Sequence, residues 1–131
     1  MIYLLDANAV IALLKDSQSR LAQRARQQMP HDVYVSAIVT HELYYGAFKS
    51  QRVEQNVALL DELRFQVLEF DKEDARHAGE VRATLAKSGT PIGPYDVLIA
   101  GQARARDLIL VTHNIKEFDR VPGLRLEDWE V

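Results

Sequence analysis

Short continuous runs of apolar residues alternate with longer amphipathic segments along this chain. The runs at residues 2–5, 33–35 and 109–112 each stop at a polar residue and are typical of strands buried on both faces of a sheet. Residues 66–70 alternate apolar and polar side chains like a half-buried strand, and residues 124–126 are a candidate edge strand. The hydrophobic pattern therefore predicts five short strands.

The segments between these runs have the composition and apolar spacing of helices. Ser19, Ser36 and Asp71 stand where side-chain caps begin helices, and Pro94 suits the first turn of another. The predicted helices cover residues 9–14, 20–28, 37–49, 53–63, 72–87 and 95–106. Strands joined by helical crossovers favour a mostly parallel sheet with helices on both faces. Because no repeat or linker interrupts the pattern, we expect one α/β domain spanning residues 1–131.

Composition and charge restrict the chemistry. The 131 residues are 47% hydrophobic and 27% charged, with a net charge of −3, which argues against binding nucleic acid through bulk positive charge. The absence of cysteine excludes disulfide scaffolds, cysteine zinc sites and thiol catalysis. Asp6 follows only five residues that include no basic residue, and no apolar stretch approaches the roughly 20 residues of a membrane span. We therefore expect a cytoplasmic protein with no signal peptide and no membrane partner.

Three acids are candidates for a site, because ligands of open parallel sheets bind beyond the carboxyl ends of the strands. Asp6 follows the first strand, Glu42 lies on the helix over residues 37–49, and Asp96 opens the most apolar helix. Each acid also has a structural interpretation. Asp6 could cap the next helix, Glu42 could border the core, and Asp96 could complement a helix dipole.

The three acids considered together favour a metal site over these separate structural interpretations. Carboxylates from three separate elements at one edge of a sheet would repel one another unless a cation lay between them. Hard oxygen ligands select Mg²⁺ or Mn²⁺ rather than zinc. Such a site polarises a phosphoryl group and generates a hydroxide, as metal-dependent nucleases require.

The acids lie in short segments that have a definite order and spacing. These segments are Asp-Ala-Asn at 6–8, Glu-Leu-Tyr-Tyr-Gly-Ala at 42–47, Pro-Ile-Gly-Pro-Tyr-Asp at 91–96, Thr-His-Asn at 112–114 and Glu-Phe at 117–118. Together they resemble the PIN-domain ribonucleases and, more narrowly, the VapC toxins of bacterial toxin–antitoxin pairs. No single segment is specific, whereas the combination covers essentially the whole chain.

The resemblance implies a PIN-like three-layer αβα domain, a homodimer and a bound Mg²⁺, with Mn²⁺ as the alternative ion. The resemblance places the catalytic positions at four residues, of which two would bind the metal directly and two would contact it through water. The direct ligands are Asp6 and Asp96, and the water-mediated ones are Glu42 and Asn114. Many relatives have Asp at the position of Asn114, so this chain lacks one anionic ligand. Further departures are Ala7, where Thr is frequent in the family, and His113, where Asn is common.

By the same resemblance, the chain cuts RNA endonucleolytically, leaving a 5′-phosphate and a 3′-hydroxyl. The expected target is transfer RNA, in the anticodon stem-loop of the initiator species, and cleavage would inhibit translation until a small VapB-type antitoxin covers the acidic site. Lys49, Arg82, His113 and Lys116 are candidate RNA contacts. Arg82 is expected to share an apolar stripe with Ala75, Ala78 and Leu85 and to aim its guanidinium from that face towards an anion.

Aromatic residues on the helix over residues 37–49 have three open interpretations. Tyr44, Tyr45 and Phe48 could line the antitoxin groove, form the dimer contact or belong to the core. The sequence alone does not separate these uses.

Other functions compete with the nuclease interpretation. Residues 6–10 resemble the loop of haloacid-dehalogenase-like phosphatases, but Asn8 stands where the second acid is required. A zinc peptidase motif starting at His41 would need a histidine at the position of Tyr45. A non-catalytic PIN-like module that binds RNA or protein is the other alternative, and it is disfavoured because the candidate acids are present.

Overall fold

The computed structural model, which describes residues 1–131, contains one sheet of five parallel strands in the order β3-β2-β1-β4-β5. The strands are β1 (Tyr3–Leu5), β2 (Val33–Ser36), β3 (Gln66–Leu68), β4 (Ile109–Val111) and β5 (Arg125–Glu127). In the register of the centre, Leu4 pairs with Tyr34 on one side and with Leu110 on the other. The pattern predicted a mostly parallel sheet, and the observed sheet is parallel throughout, including β5 at its edge.

The sheet is flanked by helices. These are α1 (Ala7–Lys15), α2 (Arg20–Arg26), α3 (Ala37–Lys49), α4 (Val53–Asp61), α5 (Lys72–Lys87), α6 (Pro94–Ala105) and α7 (Ile115–Phe118), with a 3-10 turn at Pro30–Asp32. Right-handed crossovers place α1 to α4 on one face and α5 and α6 on the other. The α/β class and the three-layer αβα arrangement expected from the sequence are confirmed.

Capping residues decide where most of these helices begin. Ser19, Ser36 and Asp71 each accept a hydrogen bond from a backbone N–H in the first turn, as predicted. Helix α1 begins two residues earlier than predicted because Asp6 caps it. Helix α7 was not predicted, since its four residues are too few to show a helical period.

The core lies on both faces of β1 and β4, whose side chains are almost entirely buried. Tyr3 packs edge-to-face against Trp129, with ring centroids 5.0 Å apart. Helix α6 packs closely against α5 at Gly101, where a Cβ atom would lie 2.4 Å from the Cα of Ala78. No helix is both long enough and apolar enough to span a membrane.

The apolar stripe predicted for Arg82 is wrong. The buried positions of α5 are Asp74, Ala78, Val81 and Leu85, whereas Arg82 and Ala75 are exposed. The buried face of α5 includes Val81, the residue before Arg82. Because neighbouring residues of a helix point in different directions, the side chain of Arg82 points away from that apolar face. Arg82 stays a prediction as an RNA contact, without the reason first offered for it.

Candidate active site

The sheet order defines a crevice between the carboxyl ends of β1 and β4. The connection after β1 leads to β2 on one side, whereas the connection after β4 leads to β5 on the other. In parallel α/β sheets this reversal is where ligands bind, because the two following loops diverge and leave an opening. Asp6 follows β1 and Thr112 follows β4, and the backbone N–H of Asp6 donates to the carbonyl of Val111 at 3.1 Å.

Asp6 serves as a helix cap and as a buried acid at the same time. Its Oδ1 accepts a hydrogen bond from the N–H of Ala9 at 2.8 Å, and the residue is only 6% exposed. Burial raises its pKa, the side chain of Thr112 and the N–H of Ala9 partly offset this by hydrogen bonding, and the charges of Glu130 and Asp128 raise it further. The capping interpretation is therefore correct but incomplete, because the cap does not compensate the buried charge.

Glu42 lies in the second turn of α3, and its Oε1 is buried without a hydrogen-bond partner. Burial raises its pKa, the imidazole of His41 lowers it, and the charge of Asp6 raises it again. An unpartnered buried carboxylate oxygen is destabilising unless a donor or cation meets it. Glu42 is thus more than a residue at the border of the core.

Asp96 lies in the first turn of α6, half-buried and facing other acids. Burial, followed by the charges of Glu117, Glu42 and Asp6, raises its pKa to about 6. Its Oδ2 approaches the backbone so closely that a Cβ atom on Gly93 would lie 2.9 Å from it. The position of Asp96 in the first turn of α6 fits the helix dipole interpretation, but that interpretation explains neither the neighbouring acids nor the close approach to Gly93.

Glu117 lies beside Asp96 and was not among the predicted catalytic residues, although its segment is part of the family resemblance. Its Oε1 accepts from the N–H of Gly93 at 2.9 Å, and its Oε2 accepts from Nδ2 of Asn114 at 2.5 Å. The bond from Gly93 is the main reason that its pKa is lowered, so this acid is held ionised beside Asp96. The spacing of three residues between Asn114 and Glu117 was the available signal, but it required recognising the short helix α7.

Asn114, the fourth predicted catalytic residue, is placed beside the other site residues. Its N–H donates to Oγ1 of Thr112 at 3.0 Å, and its amide donates to Glu117. Asn114 therefore orients Glu117 directly. Its contact with a metal through water stays a prediction.

Four carboxylates thus converge at the crevice, and we call them the site carboxylates: Asp6, Glu42, Asp96 and Glu117. The charge of Asp6 raises the pKa of Glu42, and the charges of Glu117, Glu42 and Asp6 raise that of Asp96. None of them forms an ion pair with a lysine or arginine within 4 Å. Oxygen donors of this kind, with an orphaned buried oxygen among them, fit a hard divalent cation such as Mg²⁺.

Two predicted RNA contacts lie at the rim of the crevice. Nδ1 of His113 lies 2.9 Å from Oδ2 of Asp128 and 3.9 Å from Oε2 of Glu130, and the hydrogen bond to Asp128 raises the pKa of His113. Lys116 lines an open polar cleft of about 440 Å³ with Glu117 and others. The complete lining is Pro91, Ile92, Gly93, Asn114, Lys116, Glu117 and Arg120.

The other predicted contacts are not brought to the carboxylates. Nζ of Lys49 lies 5.6 Å from the ring centroid of Tyr45 at the far end of α3, and Arg82 is exposed on α5. Tyr45 and Phe48 are 61% and 62% exposed, so the interpretation of these two as core is wrong. The hydroxyl of Tyr44 donates to Asp61 of α4.

Comparison with known proteins agrees with this geometry. Residues 3–124 match the family model of the PIN domain, which defines the class of protein to which the fold and its acidic crevice belong. A protein of Salmonella typhimurium named tRNA(fMet)-specific endonuclease VapC is 42% identical over 129 residues, covering 97% of each chain. A Shigella flexneri protein with the same name is 43% identical over 129 residues, again covering 97% of each.

Solved structures agree as well. The crystal structure of DNA-bound VapBC from Salmonella typhimurium contains a chain with a TM-score of 0.93 and 41% identity, covering 98% of each chain. The present chain therefore belongs to the VapC family of PIN-domain ribonucleases. The phosphatase and zinc peptidase alternatives are thereby set aside.

Proposed function

We propose that this chain is a Mg²⁺-dependent endoribonuclease, with Mn²⁺ as the alternative ion, and that it is the toxin of a VapBC pair. The observation that carries the proposal is a set of buried and half-buried acids that form no ion pair with a lysine or arginine, above all Glu42 with its orphaned Oε1. A structural role would supply partners for such groups, whereas a metal site leaves them free for the ion.

We assign the metal-binding roles of the individual residues from the family resemblance, and the role of Glu117 from its hydrogen bonds. Asp6 and Asp96 would hold the metal directly, and Glu42 and Asn114 would act through water. Glu117, fixed by Gly93 and Asn114, would keep the carboxylate of Asp96 in place. A bound Mg²⁺ supplies Lewis acidity that polarises the scissile phosphodiester and lowers the pKa of a coordinated water.

The proposed substrate is transfer RNA, cut in the anticodon stem-loop of the initiator species. This target is supported by the two relatives named tRNA(fMet)-specific endonuclease. A single-stranded loop also suits a small domain, because its unstacked bases are accessible. Two residues at the rim, His113 and Lys116, would contact phosphates, and Lys49 and Arg82 are proposed contacts further out.

The proposed partners are a VapB-type antitoxin and a second copy of the chain, in the bacterial cytoplasm where transfer RNA is found. Structures of VapBC complexes among the relatives support the antitoxin. Cleavage of the initiator would inhibit translation until the antitoxin covers the crevice. An apolar groove lined by Leu43, Leu60 and Phe65 between α3, α4 and β3 offers a protein-binding surface.

Brief expression of the toxin, followed by sequencing of RNA 5′ ends, tests the activity and the target together. Asp6→Asn keeps the N-cap acceptor but removes the charge, so we expect the cleavage signal to disappear while the fold persists. Glu54→Gln, which alters an exposed acid of α4, is the matched control and should cleave like the wild type. Cleavage by purified Asp6→Asn at the wild-type rate would contradict the metal site, and new ends outside transfer RNA would contradict the target.

A further inference from the structure

Two aromatic rings stand at the border of the acidic crevice. Tyr95 and His41 form an edge-to-face pair with ring centroids 5.2 Å apart and an interplanar angle of 61°. Tyr95 directly precedes Asp96, and His41 directly precedes Glu42, so each ring is anchored beside a site carboxylate. The pair therefore joins the start of α6 to the second turn of α3 at the edge of the crevice.

The buried pair of Tyr3 and Trp129 shows what is unusual about this arrangement. The two pairs have nearly the same geometry, but Tyr3 and Trp129 are 9% and 1% exposed. Tyr95 is 45% exposed, and His41 is exposed as well. Burial of apolar area stabilises the core pair, whereas the surface pair leaves aromatic area in water and contributes little to folding.

The rings are also held in place. Nδ1 of His41 hydrogen-bonds to the carbonyl of Ile38 at 3.3 Å, which orients the imidazole on α3. Tyr95 lies in the first turn of α6, and its ring packs edge-to-face against the oriented imidazole of His41. A rigid, exposed ring next to a nuclease site is suited to stacking, because little conformational entropy is lost when a base packs on it.

We propose that Tyr95, braced by His41, is a stacking platform for a nucleobase adjacent to the scissile phosphate. This inference rests on the proposed ribonuclease function and adds a positioning residue to it. RNA-binding proteins commonly stack unpaired bases on aromatic side chains, whereas phosphate contacts alone do not position a base. The carboxylates repel the RNA backbone when no metal is bound, so a base contact close to them would help to hold the strand there.

The test is cleavage of an RNA hairpin carrying the mapped site, with matched hairpins made abasic at either nucleotide flanking the scissile phosphate. We expect Tyr95→Ala to reduce kcat/KM on the intact hairpin about 10- to 100-fold, the usual range for one lost base stack. Tyr95→Phe, which keeps the ring, should restore activity, and Tyr95→Leu, which keeps only apolar bulk, should not. Removing the base that stacks on Tyr95 should lower the activity of the wild type by about the same factor as Tyr95→Ala does on the intact hairpin. The wild type and Tyr95→Ala should then cut that abasic hairpin at the same rate, because neither can form the stack.

Met29→Ala removes an exposed apolar side chain elsewhere and serves as the control, since Met29 is 57% exposed. Circular dichroism melting should give the same Tm for all variants at exposed positions. The stacking platform would be overturned if Tyr95→Leu cleaved the intact hairpin as fast as the wild type. It would also be overturned if Tyr95→Ala remained slower than the wild type, by the same factor as on the intact hairpin, on both abasic hairpins. Normal cleavage by Tyr95→Ala together with weakened antitoxin binding would overturn it as well, and would make the pair a protein contact. If the wild type cleaves no RNA, the proposed function itself fails.

Discussion

Each end of helix α6 lies beside an acid in a crowded setting, but the charges that surround these two acids are of opposite sign. Near the C-terminal end, Asp74 of α5 is 0% exposed and accepts from Gln102 at 3.0 Å and from Arg106 at 2.9 Å. It also closes a capping box with Asp71. At the N-terminal end, the charges of three further acids act on Asp96, which forms no ion pair with a lysine or arginine.

The pKa values express this contrast. Burial raises the pKa of Asp74, but hydrogen bonds from the guanidinium of Arg106, the backbone N–H of Asp71 and the amide of Gln102 more than compensate, so the net pKa is lowered. Burial raises the pKa of Asp96 as well, and the neighbouring acids add to the rise. The C-terminal end of α6 therefore supplies partners to a compensated acid of α5, which stabilises the fold. The first turn of α6 contains an uncompensated acid, which is available for chemistry.

The largest expected effect comes from neutralising the uncompensated acid. Asp96→Asn should reduce RNA cleavage by more than about a hundredfold, because a metal ligand contributes more than the residues that merely orient one. The metal-free variant should be at least as stable as the wild type, since a repulsive charge has been removed. Steady-state cleavage and thermal melting without metal check the two parts. A marked loss of stability in Asp96→Asn would mean that this end of α6 is structural.

The compensated end should respond in the reverse manner. Asp74→Ala leaves Arg106 without its main partner and should lower the free energy of unfolding by about 3 kcal/mol. Cleavage per folded molecule should be unchanged. Urea unfolding monitored by circular dichroism measures the loss. Glu73→Ala, at the neighbouring exposed position, is the control and should change stability by less than about 0.5 kcal/mol.

Substitutions at two glycines should separate the stability of the fold from metal binding. Gly101→Ala places a Cβ atom 2.4 Å from the backbone of Ala78 and should destabilise the α5 and α6 packing by about 1–3 kcal/mol. Gly93→Ala places one 2.9 Å from the side-chain oxygen of Asp96, which can turn aside. It should leave stability nearly intact and weaken metal affinity about 10- to 100-fold. Calorimetric Mg²⁺ titration and melting curves together distinguish the outcomes, and a stability loss confined to Gly93→Ala would contradict the assignment.

The smallest effect is the dependence of stability on pH. The folded, metal-free pKa of Asp96 is about 6 against an ordinary value of 3.8, so its stabilising contribution is present below 3.8 and lost as the pH rises through about 6. The folded pKa of Asp74 is lowered, so its contribution is present above 3.8 and lost as the pH falls through the folded value. Differences in unfolding free energy between wild type and Asp96→Asn or Asp74→Asn should therefore have opposite slopes. Solvent screening limits the Asp96 effect to about 1 kcal/mol. Parallel slopes would contradict the contrast.

Sequence patterns predicted the fold to within a few residues because its elements are specified locally. The apolar runs became strands, and Ser19, Ser36 and Asp71 became caps, since each signal depends on residues within one helical turn. Helix α4 was predicted two residues too long, ending at Leu63 instead of Asp61, because helix ends are less sharply encoded. The prediction that Arg82 lies on the apolar stripe of α5 was wrong because the buried position is Val81, one residue earlier.

Only part of the candidate site could be predicted from local sequence patterns. Asp6, Glu42 and Asp96 were identified because acids next to apolar runs are conspicuous, and the family resemblance added Asn114. Glu117 was missed because its partner Gly93 lies 24 residues away, in a loop that only folding brings to α7. The Tyr95 and His41 pair joins residues from separate helices in the same manner.

By itself, the sequence determined which segments become strands and helices, where they are capped, and that acids follow β1 and open α6. The tertiary structure decided which acids are compensated. Asp74 receives Gln102 and Arg106 from 28 and 32 residues away, whereas Oε1 of Glu42 is buried with no donor. The physical reason is that the free energy of a buried charge depends on what surrounds it in space, and those surroundings exist only once the sheet and its helices have packed.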